Sequence, residues 1–360
     1  MLQSWNKIKK RFTALWNNEI IDRCCVRVVA RKNNQHYQAP PLPEKYGERV
    51  AYWLDGERIL ARETERIEKT YFAGESFPLI FSNFGAAGHA AFFKGIEIDF
   101  QDSIWMRPAE PVESGMPFTV EYNPESLLLK KNFEVMKYLV DESRGRFMIS
   151  MPDISGNLDA LAHLRQSDNL LMDMALQPQV VQKALKEIMQ VWKSVTPELY
   201  SLIRENNDRG STIGWLDTWA PGLHAQMQCD ISVMISPDMY ETFAVPELEE
   251  QSEFLDYPLY HLDGAEQVRH LDHMLSLENL KMIQWTNVAG QPSPVEFIPV
   301  LQRIQQADKS LLVRVSDVKD IEPLMTSLSS KGLYIYVEPM LESENEADDI
   351  VKLVENLTHD

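Results

Sequence analysis

Residues 259–264 have the sequence LYHLDG, a short apolar run that ends in polar groups and a glycine and predicts a buried β-strand. Three more runs of β-type residues follow at helix-sized intervals, at 281–285, 311–315 and 333–337. The segments between these runs begin as helices do, for example with Pro294 ahead of 295–306. This alternation of strands and helices predicts parallel βα units.

Four earlier runs extend the pattern toward the amino terminus, at residues 26–29, 79–82, 147–151 and 212–216. Eight βα units predict an α/β fold of the (β/α)8 TIM barrel type. A doubly wound open sheet is built from the same local units. It is disfavoured because no G-x-G-x-x-G follows a strand and no G-x-x-x-x-G-K occurs, so no nucleotide cofactor is expected.

The chain reads as one domain. No repeat, low-complexity tract or Gly/Ser linker marks an internal boundary, and 360 residues lie within the range of a single barrel. Residues 1–140 are irregular and rich in proline, whereas the βα alternation is regular from 145 to 340. We therefore expect a single domain over 1–360 in which residues 1–75 form an irregular and helical N-terminal extension.

Composition excludes several classes of partner. The formal charge of −19 would repel nucleic acid and anionic membranes. The apolar runs are too short to cross a bilayer, and the amino terminus lacks an apolar signal segment. Cys24, Cys25 and Cys229 form no disulfide framework, because two of them are adjacent. These features predict a cytoplasmic protein.

Ionisable residues gather where the predicted strands end, which is where barrel enzymes place their catalytic groups. The candidate catalytic residues are Asp153, Asp217, His261 and Asp263. Strand residues two apart share a face, so His261 and Asp263 are expected to point the same way. Aspartate at a strand end also commonly caps the next helix, and we expect that role for Asp317.

His261 and Asp263 could hold a metal ion, with Glu338 or Cys229 as further ligands. Imidazole and carboxylate groups suit zinc and other divalent ions. A single cysteine beside methionine is more often a small buried hydrophobe. If no metal binds, the same residues form a general acid/base cluster in which His261 moves a proton.

Aromatic side chains are dense around the predicted mouth, and such walls are typical of small-molecule pockets. The candidate substrate-binding aromatic residues are Trp215, Trp219, Tyr260, Trp285 and Tyr336. A small organic substrate is therefore expected.

Several ordered motifs together resemble one family. They are Asn83-Phe84-Gly85-Ala86-Ala87-Gly88 with AAFFKG at 90–95, PDISGNLD at 152–159, Leu164-Arg165 before Leu170-Leu171, ISPDMY at 235–240, YHLDG at 260–264 and IQW at 283–285. On these motifs the chain resembles the uroporphyrinogen decarboxylase superfamily over nearly its whole length. The resemblance implies a (β/α)8 barrel with a cleft at the carboxyl ends of its strands, and it adds Asn83 to the substrate-binding candidates.

That superfamily contains metal-free decarboxylases and zinc-dependent methyltransferases that work with corrinoid proteins. The decarboxylases hold their polycarboxylate substrate with an arginine-rich motif, and residues 83–95 contain no arginine, so uroporphyrinogen is not the expected substrate. The methyltransferases carry a His-x-Cys zinc pair where His261-Leu262-Asp263 stands, with Glu338 in the region of their second cysteine. Replacing thiolates by carboxylates leaves the ion more electron-poor and favours activation of a methoxy or methylamine leaving group.

Three functions remain open from the sequence. The first is metal-assisted methyl transfer to or from a corrinoid protein that docks over the barrel mouth. The second is a metal-free decarboxylase acting on a porphyrinogen-like or other carboxylated substrate, with Asp153 or Asp217 stabilising a protonated intermediate. The third is a non-catalytic barrel that binds a ligand.

Overall fold

The computed structural model describes residues 2–288 and 290–360. Its strands are β1 (Cys25–Arg31), β2 (Thr70–Gly74), β3 (Leu79–Ile80), β4 (Ile96–Phe100), β5 (Ile104–Pro108), β6 (Met148–Ile149), β7 (Ser211–Ile213), β8 (Thr218–Ala220), β9 (His224–Met227), β10 (Tyr257–Asp263), β11 (Met282–Thr286), β12 (Ser310–Val315) and β13 (Leu333–Val337). Its helices are α1 (Leu2–Trp16), α2 (Tyr46–Leu54), α3 (Gly56–Glu68), α4 (Leu127–Ser143), α5 (Asn157–Arg165), α6 (Ser167–Leu176), α7 (Pro178–Ile203), α8 (Pro237–Phe243), α9 (Val245–Phe254), α10 (Leu271–Ser276), α11 (Ile298–Gln306), α12 (Ile321–Ser327) and α13 (Glu344–Leu357).

A seven-stranded sheet forms the centre of the molecule, in the order β2-β1-β13-β12-β11-β10-β9. Its strands run parallel except for β2, which is antiparallel to β1. The parallel pair β3–β6 forms a separate small sheet, and one parallel bridge joins Met151 to Ile213 at the end of β7. The prediction of an α/β fold built on parallel strands is confirmed.

Both faces of the central sheet are buried, so its strands are nearly continuous apolar runs. One face carries Tyr260, Leu262 and Ile283 into the core beneath the helices. The other face carries Leu259, Met282 and Leu312, with other side chains, into a second core. Because side chains alternate along a strand, the buried apolar residues of β10 to β13 are divided between the two cores.

Helix α1 packs against the second core at the amino-terminal edge of the sheet. Phe12 is fully buried there. The Trp16 indole donates to the carbonyl of Trp219 at 2.9 Å, and the Ser310 hydroxyl at the start of β12 donates to the carbonyl of Leu15 at 2.6 Å. The segment 1–75, which we expected to be an extension, thus supplies a core helix and two strands of the sheet.

A buried ion network ties α1 to the start of β1. Glu75 is completely buried and lies 2.7 Å from Arg23 and 2.9 Å from Arg11. Its carboxylate also accepts the backbone N–H of Val26 at 2.8 Å. A fully buried carboxylate is tolerated when cations and N–H donors surround it in this way.

The structure differs from the sequence prediction at several elements. The segment 237–254 ahead of β10 forms two helices, α8 and α9, because Pro246 has no N–H to continue the first one. Strand β9 was not predicted, and it lies between β7 and β10 in the chain order. Within residues 2–288 and 290–360, no helix combines the length and hydrophobicity needed to cross a bilayer.

Candidate active site

Asp230, His261 and Asp263 come together at the carboxyl edge of the central sheet. Each offers one ligand atom, and the three atoms lie within 4.8 Å of one another. His261 and Asp263 end β10, and Asp230 follows β9, which pairs in parallel with β10. Parallel neighbours end at the same edge, which is why these three side chains meet.

Gly264 fixes the turn that follows Asp263. Its φ of +84° lies in the region that side chains rarely adopt, and a Cβ there would approach Val288 to 2.7 Å. The chain therefore turns directly after the carboxylate, and β10 ends with His261 and Asp263 on the same face.

Gln284 orients the imidazole of His261. Its Oε1 lies 2.5 Å from Nδ1 of His261, while its own amide donates to the hydroxyl of Thr286. Nδ1 therefore carries the proton, and the unprotonated Nε2 is 3.8 Å from Asp263. Burial lowers the pKa of His261, which favours the neutral ring that metals bind.

Asp230 contributes a carboxylate that is only partly satisfied. Gln228 donates to its Oδ2 at 3.0 Å, whereas Oδ1 is buried and has no hydrogen-bond partner within residues 2–288 and 290–360. Burial, together with the nearby carboxylates of Asp263 and Asp153, raises the pKa of Asp230 to about 7. An imidazole nitrogen and two carboxylates with a spare buried oxygen suit a divalent cation, so this group could bind a metal.

Asp153 lies beside the three-residue group. Ser155 donates to its Oδ1 at 2.8 Å and the amide of Gln226 donates at 3.2 Å. Burial raises the pKa of Asp153 despite these bonds. It lines a cavity of about 10 Å³, room for about one water molecule, together with Phe81 and Trp215. A carboxyl group with a raised pKa next to a neutral imidazole is a candidate general acid.

Asp217 and Glu338 are held by arginines. Arg27 contacts Asp217 at 2.5 Å, and Arg314 contacts Glu338 at 2.6 Å. Both guanidinium groups lie over the ring of Tyr336, at 4.4 Å and 5.6 Å from its centroid. These ion pairs explain why neither carboxylate belongs to the metal-type group.

Trp215 connects the two parts of the site. The Trp215 ring meets the His261 ring edge-on, with 4.9 Å between the ring centroids. The guanidinium of Arg314, which pairs with Glu338, lies 5.9 Å from the centroid of the Trp215 ring. The predicted residues Asp153, Trp215, His261 and Asp263 are thus neighbours, and Tyr336 with its two arginines adjoins them.

Three predicted aromatic residues lie elsewhere. Tyr260 and Trp285 are fully buried in the core beneath the helices, on the face opposite to His261. Trp219 is buried under α1, where its indole donates to the carbonyl of Asn207 at 2.9 Å. Alternation along the strands explains the positions of Tyr260 and Trp285, because each is adjacent in sequence to a residue on the His261 face.

Cys229 and Asn83 also lie outside the three-residue group. The Cys229 side chain is in the core beneath the helices, and burial raises the pKa of its thiol well above the usual range, which disfavours the thiolate that zinc requires. Asn83 is exposed and accepts the N–H of Gly85 at 3.1 Å. Asp230 was not among the predicted residues; in the structure Gln226, Gln228 and Asp230 lie on one side of the chain, joined by hydrogen bonds between their side chains.

The fold and the site define an α/β protein with polar groups at the carboxyl edge of a parallel sheet. No protein-family model matches the sequence, and the search of curated proteins gives no match. The structure is similar to that of a methyltransferase from Methanosarcina mazei, with a TM-score of 0.57 and 11% sequence identity. The similarity covers 97% of this chain and 98% of that one, and at this identity it is a likeness of fold.

Proposed function

We propose that the chain is a metal-dependent methyltransferase that transfers a methyl group to or from a corrinoid protein. Zinc is the proposed ion, held by Asp230, His261 and Asp263. The observation that carries the proposal is that Asp230, a member of this group, has a buried Oδ1 without a hydrogen-bond partner among the described residues. A buried charged oxygen is costly unless a cation or donor satisfies it, and an ion at this point would do so.

The proposal includes a (β/α)8 barrel whose mouth holds the site. The eight β-type runs predicted from the sequence all contain strand residues. Met151, just after β6, forms a parallel bridge with Ile213 of β7. The likeness to the Methanosarcina mazei methyltransferase extends over both chains and supports the same architecture. The side chains of the group follow strands at their carboxyl ends, as the active sites of such barrels do.

When bound, zinc would supply Lewis-acid activation of the group that leaves the methyl carbon. Gln284 would keep the ring of His261 in place through Nδ1. Asp153, whose pKa is raised by burial, would hold a proton on its carboxyl group and donate it to the leaving heteroatom. Trp215 would exclude water from the space beside the imidazole.

Metal content tests the ligand set. After treatment with chelator and reloading with zinc, the wild-type chain should retain about one ion, whereas Asp230→Asn and His261→Ala should lose it. Asp317→Asn is the matched control, because Asp317 also follows a sheet strand but only caps the next turn. Retention of zinc by His261→Ala, or its absence from the wild type, would refute the metal site and favour the metal-free decarboxylase.

Methyl transfer is tested separately with free cob(I)alamin in place of the partner protein. Methoxy and methylamine compounds serve as donors, and the visible spectrum reports formation of methylcobalamin. We expect turnover by the zinc-loaded wild type and loss of at least about a hundredfold in Asp153→Asn, because general acids contribute factors of this size. Full zinc binding with no transfer to cobalamin from any donor would count against the corrinoid reaction.

A further inference from the structure

A second cavity lies on the other side of Phe81 from the small cavity at Asp153. Its volume is about 280 Å³, and we call it the side pocket. The residues that matter here are Tyr52, Trp53, Arg62, Arg66 and Ser82, which all line it. Phe81 lines both the side pocket and the small cavity at Asp153, so the two spaces are neighbours.

The side pocket carries an excess of positive charge. Arg66 donates to Glu63 at 2.7 Å and to the carbonyl of Leu79 at 2.7 Å, and Arg62 donates to the carbonyl of Tyr52 at 3.1 Å. Two guanidinium groups against one carboxylate leave one net positive charge. Each guanidinium has five N–H groups, so both arginines keep donors for a further acceptor.

Ser82 offers a polar group that the protein itself does not satisfy. The residue is 4% exposed, and its hydroxyl is buried without a partner in the described part of the chain. A buried hydroxyl without a partner costs free energy, and a ligand atom in the side pocket would remove that cost.

Aromatic rings form the apolar part of the wall. Arg62 lies over the ring of Tyr52 at 4.3 Å, and Tyr52 meets Trp53 edge-on at 5.4 Å. The indole of Trp53 donates to the carbonyl of Gln101 at 3.0 Å, which fixes that ring. Both aromatic residues line the side pocket together with the arginines, and aromatic walls of this kind suit a planar ligand.

We propose that the side pocket binds a planar aromatic monocarboxylate. Its carboxylate contacts Arg62 and Arg66, an oxygen accepts the hydroxyl of Ser82, and its ring lies against Tyr52 and Trp53. A single net positive charge matches one carboxylate and not a polyanion, and the volume suits one or two rings. The inference rests on the proposed function in one respect, namely that this ligand is the substrate of the adjacent metal site.

Calorimetric titration of the full chain with benzoate tests the binding, first without metal so that the result is independent of zinc. Benzoate should bind saturably with a Kd of about 1 mM or lower, and benzamide, which has the same shape without the charge, should bind at least about tenfold more weakly. Arg62→Met should weaken benzoate by about tenfold or more, and Ser82→Ala by a few fold. Arg62→Lys keeps the positive charge and loses the planar guanidinium, so its affinity for benzoate should lie between those of the wild type and Arg62→Met.

Arg58→Met is the matched control, because Arg58 lies on the same helix, is exposed and pairs with Glu48. It should bind benzoate as the wild type does, and thermal melting of every variant checks that the fold is intact. Equal affinity for benzoate and benzamide, no saturable binding, or equal weakening by the Arg58 and Arg62 substitutions would overturn the side-pocket proposal. Zinc content of the same preparations separates this failure from failure of the metal site, since Arg62→Met should keep its zinc.

Discussion

At the scale of single residues, Gln284 determines which nitrogen of His261 is available to a metal. It is fully buried, and its amide links the imidazole to Thr286. Gln284→Met keeps the volume of the side chain and removes the acceptor for Nδ1. We expect zinc affinity to fall by about 10- to 100-fold, since partners of metal-binding histidines have effects of this size. Competition with a chromogenic chelator measures it.

Gln302→Met is the control for that substitution. The amide of Gln302 bonds to the carbonyl of Ser327, far along the chain from the site, so zinc affinity should not change. If both methionine variants bind zinc as tightly as the wild type, Gln284 does not position the ring.

Only part of the site could be predicted from the sequence. His261 and Asp263 could be predicted, because a strand of clear β character carries both on one face. Asp230 could not, because β9 has the sequence His-Ala-Gln-Met, which lacks the β-branched residues by which strands are recognised. Because this strand was not recognised, the face on which Asp230 lies could not be predicted. Cys229, one residue away on the opposite face, was proposed as a ligand instead.

At the scale of elements, α1 is expected to be necessary for stability. Phe12 is fully buried, with its ring 5.7 Å from Tyr334 of β13 and 6.2 Å from Phe77. Phe12→Ala should lower the free energy of unfolding by about 3–5 kcal/mol, the usual cost of emptying a buried aromatic position. Denaturant unfolding measures the change. Ile21→Ala, at a side chain 56% exposed, should change stability by less than about 0.5 kcal/mol.

Helix α9 supplies a carboxylate to the start of α5, and the burial of this carboxylate should make stability depend on pH. Glu247 accepts the N–H of Asn157 at 2.6 Å, and burial raises its pKa from 4.5 to about 8. Between these two pH values the folded state therefore keeps a proton on Glu247 that the unfolded state releases. This stabilising contribution is complete below about pH 4.5 and is lost as pH rises toward 8.

Glu247→Gln should remove that loss, so its free energy of unfolding should decline less than that of the wild type between pH 5 and 8. Urea unfolding at several pH values measures the two slopes. Glu250→Gln on the same helix is the control, because Glu250 is exposed and pairs with Lys193. Identical slopes for wild type and Glu247→Gln would contradict the raised pKa.

The elements themselves could be predicted where tertiary contacts agree with local preference. Strand β13 coincides with the predicted run 333–337, because its five residues are all buried and apolar or aromatic. The hairpin of β4 and β5 was missed because residues 1–140 were interpreted as irregular, although Glu97 and Asp99 alternate with apolar residues in the pattern of a half-buried strand.

At the scale of the whole molecule, β1 and β13, the first and last strands along the chain, lie side by side in the central sheet. Cys25 of β1 pairs with Tyr334 of β13, although more than 300 residues separate them in the sequence. Local patterns predict neither this pairing nor the positions of Arg27 and Arg314 on either side of Tyr336. The two arginines were therefore absent from the predicted site, although each neutralises a carboxylate that was in it.

Buried histidine should give the molecule a second pH dependence, opposite in sign to that of Glu247. His224 is fully buried under the ring of Trp16, and burial lowers its pKa from 6.5 to about 4. Its Nδ1 donates to the carbonyl of Tyr257 at 2.6 Å, and its Nε2 lies 2.8 Å from the hydroxyl of Thr218, so the neutral ring satisfies both partners.

The unfolded chain protonates this imidazole near pH 6.5 and the folded chain does not until about pH 4. Stability from His224 is therefore complete above pH 6.5 and is lost as pH falls toward 4, by up to about 3 kcal/mol at 1.4 kcal/mol per pH unit. His224→Gln should be less stable at neutral pH because its packing is changed, so the quantity to compare is the slope. Between pH 6.5 and 4 the slope of its unfolding free energy should be shallower than that of the wild type, whereas His36→Gln, at an exposed position, should match the wild type. Equal slopes in all three proteins would mean that the folded state accepts the proton on His224 as readily as the unfolded chain does.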